Sequence, residues 1–156
     1  MEPVQELGIG LYFDDFKLGQ RFKTLGRSIF EADLMTFIGV TGMQEVLFNN
    51  LDYIENESLQ GKRVVPGLMA MGIAEGLVLG TTLQKTGIAF LNMTMDIKGA
   101  VCIGDTIHVE LEVIELKASS KGGRGLVRTR NNVVNQHGEV VMEYTPLRMC
   151  KSRPAS

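Results

Sequence analysis

Cysteine, histidine and excess charge are scarce in this sequence, and each shortage removes a class of chemistry. Cys102 and Cys150, the only two cysteines, are too few and too unpatterned for a disulfide framework or a zinc site, so free thiols in a reducing cytoplasm and no metal are expected. The two histidines, His108 and His137, fall on a strand face and in a hairpin turn, far along the chain from the other candidate residues. A net charge of −2 offers no electrostatic reason to expect nucleic acid or an anionic membrane as partner. The opening residues, Met1-Glu-Pro-Val-Gln-Glu-Leu7, lack both a basic start and an apolar stretch, so nothing marks export and a cytoplasmic location is expected. No run reads as a membrane span. The most apolar one, Pro66 to Leu83, falls short of the roughly 20 residues needed, carries Glu75 at its centre and is bracketed by Lys62-Arg63 and Lys85.

What is present is an ordinary globular composition. With 156 residues, 44% hydrophobic and 22% charged, the chain suits one domain with a full core, residues 1–156, with an arm over 1–10 and a frayed polar tail over 151–156. The run from Pro66 to Leu83 is apolar around its whole circumference and is expected to be a buried central helix, with proline suited to its start. Gly72, Gly76 and Gly80 recur every fourth residue and give one flank a smooth ridge, on which either another backbone or a ligand can lie. Three glycines inside a helix cost about 1 kcal/mol each against alanine, which argues that close approach is needed there.

Before the helix, residues 20–29 read as a first strand. Ser28 and Glu31 have capping-box spacing for a short helix ending near Gly39, and 41–63 is irregular with one helical turn near Tyr53 to Glu57. After Gly87 the period changes to two. Strands are expected over 88–98, 107–116, 126–134 and 140–149, the second alternating Ile107, Val109, Leu111 and Val113 against His108, Glu110 and Glu112. A turn at 103–106 and hairpins at 117–125 and 135–138 separate them. The class is α+β, an antiparallel sheet wrapped around one long helix.

Several stretches carry a family resemblance. Phe16-Lys-Leu-Gly-Gln-Arg-Phe22, Glu31 to Gly42, Val64-Val-Pro-Gly-Leu-Met69 and Ile97 to Thr106 occur in the order and at the separations found in MaoC-like hot-dog domains, the group that includes (R)-specific enoyl-CoA hydratases. The resemblance spans Phe16 to Met149 and implies a hot-dog fold, an acyl-CoA thioester as substrate or ligand with no further cofactor, a lyase-type activity, and a homodimer or larger assembly. It departs from the family at the chemistry. Where the family has Thr-Gly-Asp-x-Asn-Pro-x-His, this chain has Thr41-Gly-Met-Gln-Glu-Val-Leu-Phe48, so Met43 and Phe48 stand at the aspartate and histidine positions and can transfer no proton.

Two substitutes offer themselves. Glu45 and Asn50 stand five apart, as the family's pair does, and would supply a carboxylate base and an amide positioner. Glu75 lies eight residues after Gly67, the interval at which hot-dog thioesterases of the phenylacetate-degradation type carry a carboxylate. Amid apolar neighbours such a group is expected to have a raised pKa suited to acid or base work. The helix N-terminus supplies unpaired N–H groups and a favourable dipole, so a thioester carbonyl is expected near Gly67 and Leu68, with the acyl chain along Gly72 and Gly76. Three readings stay open: an atypical enoyl-CoA hydratase or dehydratase, a thioesterase using Glu75, and a non-catalytic hot-dog partner subunit.

Overall fold

The structure is a computed structural model that describes residues 1–155. A 3₁₀ turn at Phe13–Asp15 precedes β1 (Arg21–Lys23) and β2 (Arg27–Ser28), then α1 (Glu31–Thr41), α2 (Val46–Asn49) and α3 (Leu51–Asn56). The central helix α4 (Gly67–Val78) runs on into a π-helical turn, Leu79–Leu83. Six strands follow: β3 (Gly87–Asn92), β4 (Met95–Ile97), β5 (Thr106–Ala118), β6 (Arg124–Val134), β7 (Val140–Tyr144) and β8 (Leu147–Lys151). They form one antiparallel sheet of eight strands in the order β1-β5-β6-β7-β4, with β2 also on β5, and β8 joining β6 to β3.

The alternation in β5 places Ile107, Val109, Leu111 and Val113 inward, and the first three are buried with Val133, Met142 and Tyr144 in one cluster with Met69, Ala70, Ala74 and Val78 of α4. Each fully buried large apolar side chain contributes about 1.5–3 kcal/mol, so this helix-on-sheet layer is the principal source of stability. A second cluster, Phe16, Leu83, Val113, Val127 and Cys150, closes the end where α4 finishes.

Several sequence expectations are corrected. The strand expected over 88–98 is two strands, because β3 pairs with β8 and β4 with β7, with the break at Met93–Thr94. The strand expected over 140–149 breaks opposite it at Thr145–Pro146, where proline has no N–H for the ladder. Residues 20–29 make two short strands on β5, and two short helices occupy 46–56. Ser28 caps no helix: its hydroxyl bonds Thr106 Oγ1 at 2.6 Å, and Asp33 accepts the Phe30 N–H at 2.8 Å to start α1. Of the tail expected over 151–156, Ser156 lies outside the described residues, and Arg153 is held in place. Arg153 bonds Asp15 with two nitrogens at 2.8–3.0 Å, lies 5.1 Å over the Tyr12 ring, and its N–H reaches Asp14 at 2.7 Å.

The largest correction concerns α4. It is not enclosed all round: Leu68, Gly72, Gly76, Leu79 and Gly80 are exposed, and a Cβ added at Gly72, Gly76 or Gly80 would meet nothing within 4 Å. One sheet covers one side of a helix, and among the described residues no other element covers the glycine flank. No helix among the described residues is long and apolar enough to cross a membrane.

Candidate active site

The loop into α4 is pinned before the helix begins. Val65 N–H bonds Val101 O at 2.9 Å, Ile103 N–H bonds Arg63 O at 3.0 Å, and Val64 bridges Cys102. Pro66, with ψ near 137°, is the N-cap rather than the first helical residue; its carbonyl accepts from Met69 and Ala70 at 3.0 and 3.1 Å. The N–H groups of Gly67 and Leu68 precede those first helical bonds and point out of the helix N-terminus. A Cβ at Gly67 would lie 2.5 Å from Ile97 Cδ1 of β4, so any larger residue there displaces the end of that side chain.

In front of this terminus is a cavity of about 190 Å³ lined by Leu47 and Phe48 of α2, Gln60, Val64, Val65, Gly67, Ala70, Ile97, Val101 and Met142, with Gly99 and Ala100. Among the described residues Gln60 is its only polar side chain, and an amide neither gains nor loses a proton near neutrality. Phe48 therefore lines the cavity with a ring where the resemblance places a histidine.

A second cavity, of about 380 Å³, lies beside the far half of α4 between Leu79, Leu83, β3 and β8, and Glu75 and Arg148 are its charged lining. Glu75 is not among apolar neighbours as expected. Arg148 Nη2 donates to both of its oxygens at 2.6 and 2.7 Å, and Tyr144 Oη lies 3.3 Å from Oε1. Burial, and then the adjacent Glu75 charge, pushes the Tyr144 hydroxyl well above its ordinary value, so it donates to Glu75 as a neutral phenol. Phe90 covers Arg148 with its ring centroid 5.1 Å from the guanidinium carbon. Below this group Thr129 Oγ1 and both amide atoms of Asn131 are buried without a hydrogen-bond partner.

The family model described as FAS1-like, dehydratase domain region, matches residues 34–144. This chain belongs to that MaoC-like hot-dog family. The (R)-specific enoyl-CoA hydratase of Rhodospirillum rubrum is 31% identical over 110 residues, covering 70% of this chain and 74% of the hydratase. The 3-hydroxybutyryl-CoA dehydratase of Methylorubrum extorquens is 30% identical over 106 residues, 68% of this chain and 66% of the dehydratase. Among solved structures, the MaoC-like dehydratase from Rhodospirillum rubrum superposes with a TM-score of 0.82 at 25% identity, over 94% of this chain and 100% of that one. A Mycobacterium tuberculosis protein with a double hot-dog fold gives a TM-score of 0.85 at 21% identity and shows the fold alone, this chain matching 47% of it. The hot-dog architecture and membership of the hydratase/dehydratase family are thus shown for this chain.

The candidate residues do not gather in one place. Gly67 lines the smaller cavity and Glu75 the larger one, while Gly72 lines a third hollow between α1 and α4 with Phe37 and Ile73. Glu45 is the exposed N-cap residue of α2, and Asn50 caps α3 by accepting the Tyr53 N–H at 3.0 Å, so the amide expected to position a substrate is committed to the backbone. Neither lines the cavity in front of Gly67. His108 bonds Glu110 at 3.2 Å and His137 sits beside Gln136 in its turn, both outside that cavity. Arg148 and Tyr144 were not legible as site residues, because 73 and 69 residues separate them from Glu75.

Proposed function

We propose that this MaoC-like chain binds an acyl-CoA thioester in the cavity at the α4 N-terminus and is an atypical member of the hydratase/dehydratase type, without hydration activity of its own. The observation that carries this is the lining: Gly67 at the helix N-terminus with a backbone N–H suited to a carbonyl oxygen, apolar walls for an acyl chain, and among the described residues no side chain able to move a proton. A hydratase must deliver a proton and a hydroxyl across a double bond, and Phe48 and Gln60 deliver neither. The exposed α4 flank and the exposed Ile88, Phe90 and Leu91 of β3 support a second copy of the chain as partner.

The test is titration of the purified chain with crotonyl-CoA, followed by calorimetry and by enoyl absorbance. Binding with no absorbance loss above buffer is expected. Gly67→Ala, which drives a methyl into Ile97, is expected to weaken binding about tenfold, equivalent to about 1.4 kcal/mol. Hydration catalysed by the unmodified chain would overturn the reading.

A thioesterase reading has one observation in its favour, that the Glu75 carboxylate lines the larger cavity. Its two oxygens are both held by Arg148, which leaves the base no free geometry in this arrangement. Thiol release from acyl-CoA that vanishes in Glu75→Gln would restore it.

A further inference from the structure

The buried face of β6 carries two polar residues among its valines, since alternation turns Val127, Thr129, Asn131 and Val133 inward. A valine at 129 would have the same shape, so only the hydroxyl distinguishes the residue there. Thr129 Oγ1 is buried and has no hydrogen-bond partner. A buried hydroxyl left in that condition carries its full desolvation penalty. The register sets Arg148 of β8 opposite Val127, and so diagonal to Thr129 on the same inward face. Arg148 is itself only partly used. Nη2 alone donates, to both Glu75 oxygens, which leaves the N–H groups of Nε and Nη1 without a protein acceptor among the described residues. Where these side chains meet the π-helical turn after α4 lies a cavity of about 10 Å³, whose polar lining is Thr82, Thr129, Arg148 and Cys150 and whose other walls are apolar, Phe16, Val78 and Val127 among them. All four polar residues are more than nine-tenths buried. The Thr82 hydroxyl donates to Val78 O at 2.7 Å and keeps its lone pairs free to accept.

We propose that this cavity is a binding site for a single water molecule, which accepts from the Thr129 hydroxyl and from an Arg148 N–H and donates to Thr82 Oγ1. One water needs roughly 10–15 Å³ and two to four polar partners, so the cavity admits one and excludes any larger ligand. An ion does not suit it. The Arg148 charge is already met by Glu75, which leaves an anion no unpaired cation, and among the described residues no carboxylate lines the cavity for a cation. The water meets Arg148 at a nitrogen other than the one bonded to Glu75, so the two fix the guanidinium jointly while the Phe90 ring covers it. The result is a continuous polar chain through the core, from Glu75 of α4 through Arg148 of β8 to Thr129 of β6 and back to Thr82 beyond the helix end. Such a chain is favourable only when every member is satisfied, and the water is the member that satisfies Thr129.

The experiment is a crystal structure of the full chain, of Thr129→Val and of Thr129→Ser at a resolution that shows ordered water, with urea midpoints for the parent and Thr129→Val. One water within hydrogen-bond distance of Thr129 Oγ1 and an Arg148 nitrogen is expected in the parent, and none in Thr129→Val. Thr129→Ser keeps the hydroxyl and is expected to keep the water. Thr129→Val is expected to lower the folding equilibrium constant about fivefold, because it removes the water and leaves an Arg148 N–H buried without an acceptor. A dry cavity in the parent would overturn the site. A Thr129→Val chain as stable as the parent or more so would also overturn it, since a methyl relieves a hydroxyl that has no partner but only costs bonds where a water is held. Should Thr129→Val fail to fold, the parent and Thr129→Ser structures decide, and a water missing from either counts against the proposal.

Discussion

Arg148 is taken out of water and given Glu75 on one side and the Phe90 ring on the other, with 7% of its side chain and 12% of that of Glu75 exposed. A buried pair of this kind is costly to break from one side, because the surviving charge stays buried and unpaired. Arg148→Ala is therefore expected to lose about 3–5 kcal/mol, read as a lowered urea midpoint. Loss of the half-exposed Arg130–Glu112 pair should cost under about 1 kcal/mol by comparison. Glu75 was legible as an anomaly in an apolar run, but its role was not, since a charge's meaning depends on its partner and the partner lies on β8. Cys150 repeats the point: burial pushes its thiol up to about 11, as expected of an unpatterned core cysteine.

At the scale of elements, α1 begins where long-range contacts let it. The local capping signal at Ser28 lost to a hydroxyl pair with Thr106 on β5, and Asp33 took over, joined to Arg27 of β2 at 2.7 and 3.2 Å. The Arg27 hydrogen bonds, then the Phe30 N–H, hold the Asp33 carboxyl below its ordinary value. A depressed folded-state pKa stabilises above the unfolded value, about 3.9, and that stability is lost as pH falls through the folded value. Urea midpoints of the parent should thus drop below about pH 4 more steeply than those of Asp33→Asn, which lacks the titrating group. The apolar period that predicted β5 was reliable because burial on one face imposes it. The break at Thr94 was not legible in 88–98, where alternation runs on without interruption, and it arises from which partner each half of the strand meets, whereas the break at Pro146 carries its signal in the proline itself.

For the whole molecule, the surface is larger than its mass warrants: 9377 Å² for 17.2 kDa, against roughly 7,800 Å² for a compact monomer. Part of the excess is the extended arm before Gly10, and part is the open α4 and β3 face. Gly76→Ala separates the two roles left open for the glycine flank. In the isolated chain alanine there touches nothing, and the helix should gain about 1 kcal/mol. If the flank packs against a second copy, the same methyl should weaken self-association at least about tenfold, seen by sedimentation and by a melting temperature less dependent on protein concentration. The expected outcome is both together, a steadier monomer and a weaker dimer.

The sequence by itself determined the helix-on-sheet layering and the absence of proton-transfer groups at Met43 and Phe48. Each of these is carried by a local pattern or by a single residue's chemistry. Only the tertiary structure decided that α4 is covered on one side and that Glu75 is an ion-paired wall of a separate cavity. Those facts depend on pairings across tens of residues, which strand register and packing set and no local pattern records.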